Sequence, residues 1–369
     1  MHEKDIQFVE ESFKKYYFDH FDLIHVPEKP EQREFGFQKF TGGMNRHISI
    51  KNDKELHLFL RNKIPSDVYC SNACYSFPNL PMSEKDWKGA DLIFDIDAKD
   101  LNLDSRKEHS IIKCTSCNKI SKLQDSCPHC NSQKLSVITL TCKDCIDATK
   151  NEVRKLSNIL SNDFSIAENN IKIYFSGNEG FHIYVLNSVH DKAESKERSE
   201  LADYLMFRGA ISERFGFKKS SFPELDDKGW KGRISKQIFG SESKRKKVMK
   251  EIVSNGESSF QVLLEKLKDT IGVKIDPNVT MDIHRIFRLP GSINSKSGLT
   301  KLYCENLEKF DPYKMACFIT DEPIEITANT PIKFELKNKE FGPYENEKIE
   351  LPSFVAVYMI CKGIGTLAV

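Results

Sequence analysis

Ile6, Val9, Phe13 and Tyr17 recur at helical spacing among charged residues, which predicts a packed amphipathic helix over 5–18. Shorter runs at 34–40 (EFGFQKF) and 46–50 (RHISI) read as strands, with a helix near 52–62. The segments VYCSNACYSF (68–77) and DLIFDID (91–97) follow, the second a buried strand that ends in carboxylates. Residues 99–144 are polar and cysteine-rich, with too few apolar positions for a core of their own, and read as an inserted module. Helical periodicity resumes at Ile146, Val153, Leu156 and Leu160. Two strands, IKIYFS (171–176) and FHIYVL (181–186), flank GNEG, a tight glycine turn. Helices are predicted near 192–214 and over 248–270. Residues 273–294 mix a strand end, a short helix and a Pro-Gly turn, and FVAVYMICKG (354–363) reads as a final packed helix. There is no internal repeat and no low-complexity linker. The pattern predicts an α/β (α+β) chain with a mixed sheet. Its parts are residues 1–105, an inserted module over 106–146, a remainder over 147–345 with a basic helical region near 192–270, and a C-terminal helix within 346–369.

A chain of 369 residues can bury a large core. Lys and Arg (55) nearly balance Asp and Glu (54), a formal charge of +1. No global field therefore draws the molecule to a polyanion, and nucleic-acid contacts must come from local patches. No apolar run reaches the roughly 18 to 20 residues of a membrane span. The charged, amphipathic first helix has no apolar signal core, so a cytosolic protein is expected. Of the eleven cysteines, six fall between Cys114 and Cys145. Clustering in CxxC units predicts a metal rather than a disulfide framework. Cys70, Cys74, Cys304, Cys317 and Cys361 read as small buried residues.

Three segments carry candidate chemistry. Asp95 and Asp97 are i, i+2 in a strand, so both carboxylates share one face, about 6.6 Å apart along the chain. Two such charges repel, and a divalent cation such as Mg²⁺ is the natural counter-charge. The bland alternative is a strand end dissolving into a polar loop, and nucleotide-sugar glycosyltransferases carry the same pair. In the second segment, Ser176-Gly177-Asn178-Glu179-Gly180-Phe181-His182, glycines let backbone N–H groups approach a phosphate, and Ser176 and His182 can add hydrogen bonds. A plain hairpin with a core histidine also accounts for it. In the third, Asp276 follows an apolar strand and can complete a carboxylate trio. Arg285 and Arg288, at i, i+3 on a predicted short helix, can face a triphosphate. Arginines bridged to Asp282 or Glu305 are the structural alternative, and Pro290-Gly291-Ser292 makes a turn.

Cys114-x2-Cys117-x9-Cys127-x2-Cys130 has the spacing of a four-thiolate zinc site, and all-cysteine ligation points to a structural role. Cys142 and Cys145 either pair with Cys114 and Cys117, or are structural, or share a second metal with His109 or His129. Basic positions at Lys218, Lys219, Lys228, Lys231, Arg233 and Lys244, Arg245, Lys246, Lys247 offer a phosphate-backbone track or simply a solvated face.

Taken in order, REFGFQ-x6-NRHISI (33–50), DLIFDIDAKDL (91–101), the cysteine module, SGNEGFHIYV (176–185), GWKGRI (229–234), IDPNVTMDIHRIFRLPGSIN (275–294) and the tail LPSFVAVYMICKG resemble the small catalytic subunit of the archaeal and eukaryotic DNA primase. The resemblance covers most of the chain. It implies a primase-type catalytic domain in which Asp95, Asp97 and Asp276 hold two Mg²⁺ or Mn²⁺ ions. It further implies that Ser176, Gly177, His182, Arg285, Arg288 and Asn294 serve the nucleotide, and that Glu34 and Arg46, twelve apart, occupy the N-terminal active-site positions. Zn²⁺ would be structural. Glu179 stands where the family's turn usually has a basic residue, and Asn294 where it often has histidine.

The implied activity is template-directed synthesis of short primers on single-stranded DNA from NTPs or dNTPs by two-metal nucleotidyl transfer, with Lys231, Arg233, Lys244, Arg245 and Lys246 on the nucleic acid. The implied partner is a large iron–sulfur subunit, and no membrane is expected. The location would be cytoplasmic (nucleoid) in an archaeon and nuclear in a eukaryote. A stand-alone primase-polymerase of repair or plasmid type shares the same core. A non-catalytic zinc module that binds nucleic acid is the reading from another class.

Overall fold

A computed structural model describes residues 2–186, 189–217 and 222–368. The first helix, Glu3–Asp19, buries Val9, Phe13, Tyr16 and Tyr17, as its periodicity requires. Asp5 accepts the His2 backbone N–H at its start and the Leu367 N–H at 2.8 Å, tying the two ends of the chain together. The helix Asp53–Lys63 is capped by Asn52, whose side chain accepts the Glu55 N–H, and it carries acidic residues in its first turn and basic ones in its last.

Two antiparallel sheets build the catalytic face. In one, the strand Ile286–Arg288 pairs with Asp67–Tyr75, which pairs with Arg33–Gln38 and through it with Met44–Ile48, while Trp87–Ala90 pairs with residues 73–75 on the same edge as Ile286–Arg288. In the other, Leu92–Asp97 pairs with Gly180–Val185, which pairs with Ile171–Phe175. A third sheet (Pro323–Thr330 between Tyr344–Pro352 and Gly365–Leu367), a hairpin (Phe334–Leu336 with Lys339–Phe341) and the module's own sheet (Ser110–Cys114 between Ile120–Lys122 and Leu135–Thr139) complete the strands. Every named strand pair is antiparallel, so the α+β form of the expectation holds. The mixed sheet becomes separate antiparallel ones, because adjacent strands here run back against one another rather than in parallel.

The helix Lys143–Phe164 packs on the second sheet, with Ile146, Val153, Leu156 and Leu160 all buried. The helix expected near 192–214 stops at Leu205, where Phe207 turns left-handed (φ +53°) to bring its ring onto Trp230. The helix expected over 248–270 is two, Glu242–Asn255 and Glu257–Ile271, broken at Gly256 with φ +83°. The C-terminal helix is confined to the buried stretch Ser353–Lys362. The polar residues before it form the strand Tyr344–Pro352, exposed along much of its length. No described helix is long and apolar enough to cross a membrane.

Candidate active site

On the strand Leu92–Asp97, Leu92, Phe94 and Ile96 enter the core, which turns Ile93, Asp95 and Asp97 to the opposite face. Cross-strand register sets His182 opposite Asp95 and Gly180 opposite Asp97. The backbone N–H of Asp276 donates to the Asp95 carbonyl at 3.0 Å, bringing the third carboxylate to the same place. Asp276 also caps the short helix Pro277–Met281, accepting the Asn278 N–H at 2.9 Å.

The electrostatics of this trio are unfavourable without a cation. Burial, then the charges of Asp97 and Asp276, push the Asp95 carboxyl up to about 8. Its Oδ1 is buried and takes no hydrogen bond. Lys99, 2.8 Å from Asp97 Oδ2, offsets part of the charge from a half-exposed position. An orphaned carboxylate oxygen among three acids fits hard divalent cations. Among the described residues the four-cysteine group is the one whose ligand atoms lie within 4.8 Å of one another, and the three aspartates do not form such a group.

The turn beside Asp97 is held from three sides. Gly177 has φ +87°, and a Cβ there would lie 2.9 Å from the Asn294 side chain, while a Cβ on Gly180 would collide with Asp97 Oδ1. Asn294 donates to the Ser176 carbonyl at 3.4 Å, Ser297 to the Gly177 carbonyl at 2.5 Å, and Lys362 to Asn178 Oδ1 at 2.8 Å. Asn294 also accepts the Lys296 N–H, so its amide braces the turn. Glu179 is gripped through both oxygens by Arg106 at 3.0 and 3.1 Å, so the turn that lacks a basic residue of its own has a guanidinium docked on it.

His182 Nε2 stands 3.4 Å from Asp95 Oδ1. Burial, then Lys301 and Arg288, hold the imidazole well below its ordinary range, so the ring is neutral. Arg285 and Arg288 do not sit on a helix. Residues 286–288 pair with 69–71 as a strand, because that edge offers ladder partners a four-residue helix lacks. Arg288 is buried, 2.5 Å from Asp67 and 2.8 Å from the Ile293 carbonyl. Arg285 is half-buried, makes no ion pair among the described residues, and its charge helps to lower Asp95.

Glu34 is fully buried, with its carboxylate taken up by basic partners. It receives Arg46 at 2.8 Å and the buried Lys85 at 2.9 Å, and Arg46, about a third exposed, carries the charge outward. Burial opposes ionisation of Glu34, but the bonds from Arg46 and Lys85 win and hold the carboxyl below its ordinary 4.5. Glu34→Ala leaves Lys85 buried without its carboxylate and is expected to cost about 3–5 kcal/mol in a denaturant titration. Because the folded value is the lower one, the stabilisation is complete above pH 4.5 and is lost as pH falls through the folded value, so wild type and variant converge in acid.

Cys114, Cys117, Cys127 and Cys130 place their sulfurs within 4.8 Å of one another, with Cys114–Cys130 and Cys117–Cys127 both at 3.6 Å. A tetrahedron of sulfurs about 2.3 Å from zinc has edges of about 3.8 Å, so the quartet fits. Cys142 and Cys145 do not belong to this quartet. They are bonded to each other at the start of the Lys143–Phe164 helix, buried against Ala98 and Leu103. Of the basic positions, Arg233 is taken up by Asp163 (2.6 and 2.9 Å), and Arg245 reaches the Phe222 and Pro223 carbonyls. Lys231, Lys244, Lys246 and Lys247 are exposed, and Lys218 and Lys219 lie outside the described residues. Lys85, Asp67, Arg106 and Lys301 were not legible as site residues. The one local signal was a lysine inside the apolar run LTKLYC.

Acids beside a glycine turn and arginines suit a nucleotidyltransferase, an enzyme class that handles polyphosphate. The family profile for the DNA primase small subunit matches residues 124–305. The chain is 61% identical to the DNA primase small subunit of Nitrosopumilus maritimus (strain SCM1) and 48% to that of Cenarchaeum symbiosum (strain A), covering 100% of each protein and of itself. It belongs to the DNA primase small subunit family, in its archaeal form. The polymerase domain from Mycobacterium tuberculosis Ligase D in complex with DNA aligns over 81% of this chain and 83% of its own, at 9% identity and a TM-score of 0.38, too loosely to argue from.

Proposed function

We propose that this chain is the catalytic subunit of a replicative DNA primase, joining nucleotides on a single-stranded DNA template without a pre-existing primer. The observation that carries the reading is the carboxylate trio with its orphaned Asp95 oxygen, abutting a glycine turn in a chain whose relatives are primase small subunits along their whole length. The repair-type primase-polymerase and the non-catalytic zinc module have no observation in their favour.

In the reaction, the 3′-oxygen of one nucleotide bonds to the α-phosphorus of the next as the α–β phosphoanhydride breaks. The hydroxyl proton passes to solvent and pyrophosphate leaves with the electron pair. Asp95, Asp97 and Asp276 would hold two Mg²⁺ or Mn²⁺ ions, which when bound supply the charge that activates the hydroxyl and balances the pyrophosphate. The Ser176 N–H is taken by the Gly180 carbonyl, so the turn would offer the phosphates the N–H groups from Gly177 onward and the Ser176 hydroxyl. His182 adds a neutral donor, and Arg285 and Arg46 add positive charge that strengthens as charge builds on the phosphoryl oxygens. Arg288, fixed by Asp67, contributes from a buried position.

The zinc quartet is structural in this reading. The large subunit is part of the proposal, tested by co-purification from the native cell, and so is a cytoplasmic site of action. Template binding is assigned to Lys231, Lys244 and Lys246. Reversing these three to Glu is expected to weaken single-strand binding and to reduce the slope of log affinity against log salt by about 0.7 per phosphate no longer neutralised. An unchanged slope removes the helical region from the template path. The proposal as a whole is tested by unprimed synthesis, described at the end of the Discussion.

A further inference from the structure

Two cations anchored on the cysteine module grip the tip of the glycine turn. Arg106 lies on the short helix Asp104–Glu108, which leads into the strand Ser110–Cys114. The Ser110 hydroxyl donates to the Arg106 carbonyl at 2.7 Å and meets Thr139 Oγ1 at 3.0 Å, which fixes that helix to two strands of the module's sheet. From this base Nε and Nη2 of Arg106 reach both oxygens of Glu179. The second grip runs through the end of the C-terminal helix. Lys113, just before Cys114, donates to the Gly363 carbonyl at 3.0 Å, and Lys362 Nζ bridges the Thr139 carbonyl and Asn178 Oδ1, both at 2.8 Å. Burial lowers Lys362 to about 8, so at neutral pH it remains an ammonium with donors for both. Asn294 and Ser297 hold the carbonyls of Ser176 and Gly177 at the foot of the turn. Among the described residues, the side chains of Asn178 and Glu179 have no hydrogen-bond partner besides Lys362 and Arg106.

We infer that Arg106 is a positioning residue of the nucleotide site, pairing with Glu179 to fix the phosphate turn to the cysteine module and to cancel the turn's own carboxylate. Gly177, at φ +87°, leaves the turn free to take other shapes, and a fork on its tip selects one of them. A guanidinium that meets both oxygens of a carboxylate sets distance and plane together, which a single bond does not. Unpaired, Glu179 would place a negative charge beside the incoming phosphates and repel them. Paired, it adds none and becomes the point by which the turn is held. The Glu179 carbonyl accepts the Ala98 N–H at 3.1 Å, so the held tip is joined through the backbone to the residue after Asp97. The module thereby sets where the turn stands against the carboxylates, through side-chain contacts 73 and 184 positions apart in the chain.

This inference rests on the turn serving the nucleotide, and the test separates the two. Full-length wild type, Arg106→Gln and the swap of Arg106→Glu with Glu179→Arg are compared without nucleotide by hydrogen exchange at Ala98 and Ser176, whose amides are bonded to carbonyls of the turn. The kinetics of nucleotide incorporation are then measured on the same proteins. Arg106→Gln should exchange at least about tenfold faster at both amides and raise the KM for nucleotide roughly tenfold, with kcat changed less. The swap keeps the fork with its ends exchanged and should bring both readouts back to within about threefold of wild type. Unchanged exchange in Arg106→Gln overturns the inference, and so does a swap that restores neither readout. Gly177→Ala strains the turn directly, since its Cβ would lie 2.9 Å from the Asn294 side chain. A KM raised by Gly177→Ala but not by Arg106→Gln also overturns the inference. If neither variant moves KM while exchange responds as expected, the nucleotide role of the turn fails and the hold of Arg106 on it stands. Should Arg106→Gln not fold, Arg106→Lys, which keeps the charge and loses the fork, carries both readouts.

Discussion

Asp95→Asn is expected to lower nucleotide incorporation by at least about 10³-fold while raising the melting temperature of protein without added Mg²⁺ or Mn²⁺. Loss of activity follows from removing a metal-holding carboxylate. The gain in stability follows from the sign of the Asp95 shift. Its folded value, about 8, lies above the ordinary 3.8, so between the two the folded state keeps a proton that the unfolded state releases. Stability from this group therefore falls as pH rises from about 4, and the full penalty is present above 8. Calorimetry should find the variant's advantage largest at pH 8 and shrinking toward pH 4. An active variant contradicts the metal-holding role of Asp95, and one less stable than wild type at pH 8 contradicts its placement among like charges.

Cys114→Ser is expected to damage the fold more than the chemistry. The module's sheet reaches the core through few side chains, chiefly Ile111 with Ile120 and Ile138 packed against it, while the two knuckles project on turns. Without metal nothing else holds four sulfurs 3.6 to 4.8 Å apart. Backbone N–H groups of Cys117 and Ser116 already draw the Cys114 thiol down to about 6, toward the thiolate that zinc takes. Wild type should carry one zinc per chain by elemental analysis. The variant should carry none, melt roughly 5 °C or more lower, and retain synthesis within about tenfold at low temperature. A folded variant with no catalysis would make the metal part of the reaction and overturn its structural role.

What the sequence revealed was what depends on local period. The alternation in DLIFDID placed Asp95 and Asp97 on one face, glycines marked the 176–180 turn, and the CxxC spacing found the quartet. Asp276 was placed as well, as the carboxylate after the apolar run GVKI, although that run is not a strand in the structure. Hidden were the contacts made across long separations. Arg288 meets Asp67 across 221 positions, Lys301 meets His182 across 119, and Arg106 meets Glu179 across 73. No periodicity encodes such pairs. The same limit explains the errors of form. IFRL reads equally as helix or strand until the 69–71 edge is there to pair with it. Arg233 and Arg245 look like surface charge until Asp163 and the 222–223 carbonyls arrive.

The central claim is that this trio starts chains on single-stranded DNA. The direct measurement is unprimed synthesis on a poly-pyrimidine template with labelled NTPs or dNTPs and Mg²⁺ or Mn²⁺, with Asp95→Asn run beside wild type. Labelled oligomers from wild type alone are the predicted result, and the nucleotide that supports them identifies the preferred sugar. Equal product from both proteins, or none from wild type with the large subunit present, contradicts the account.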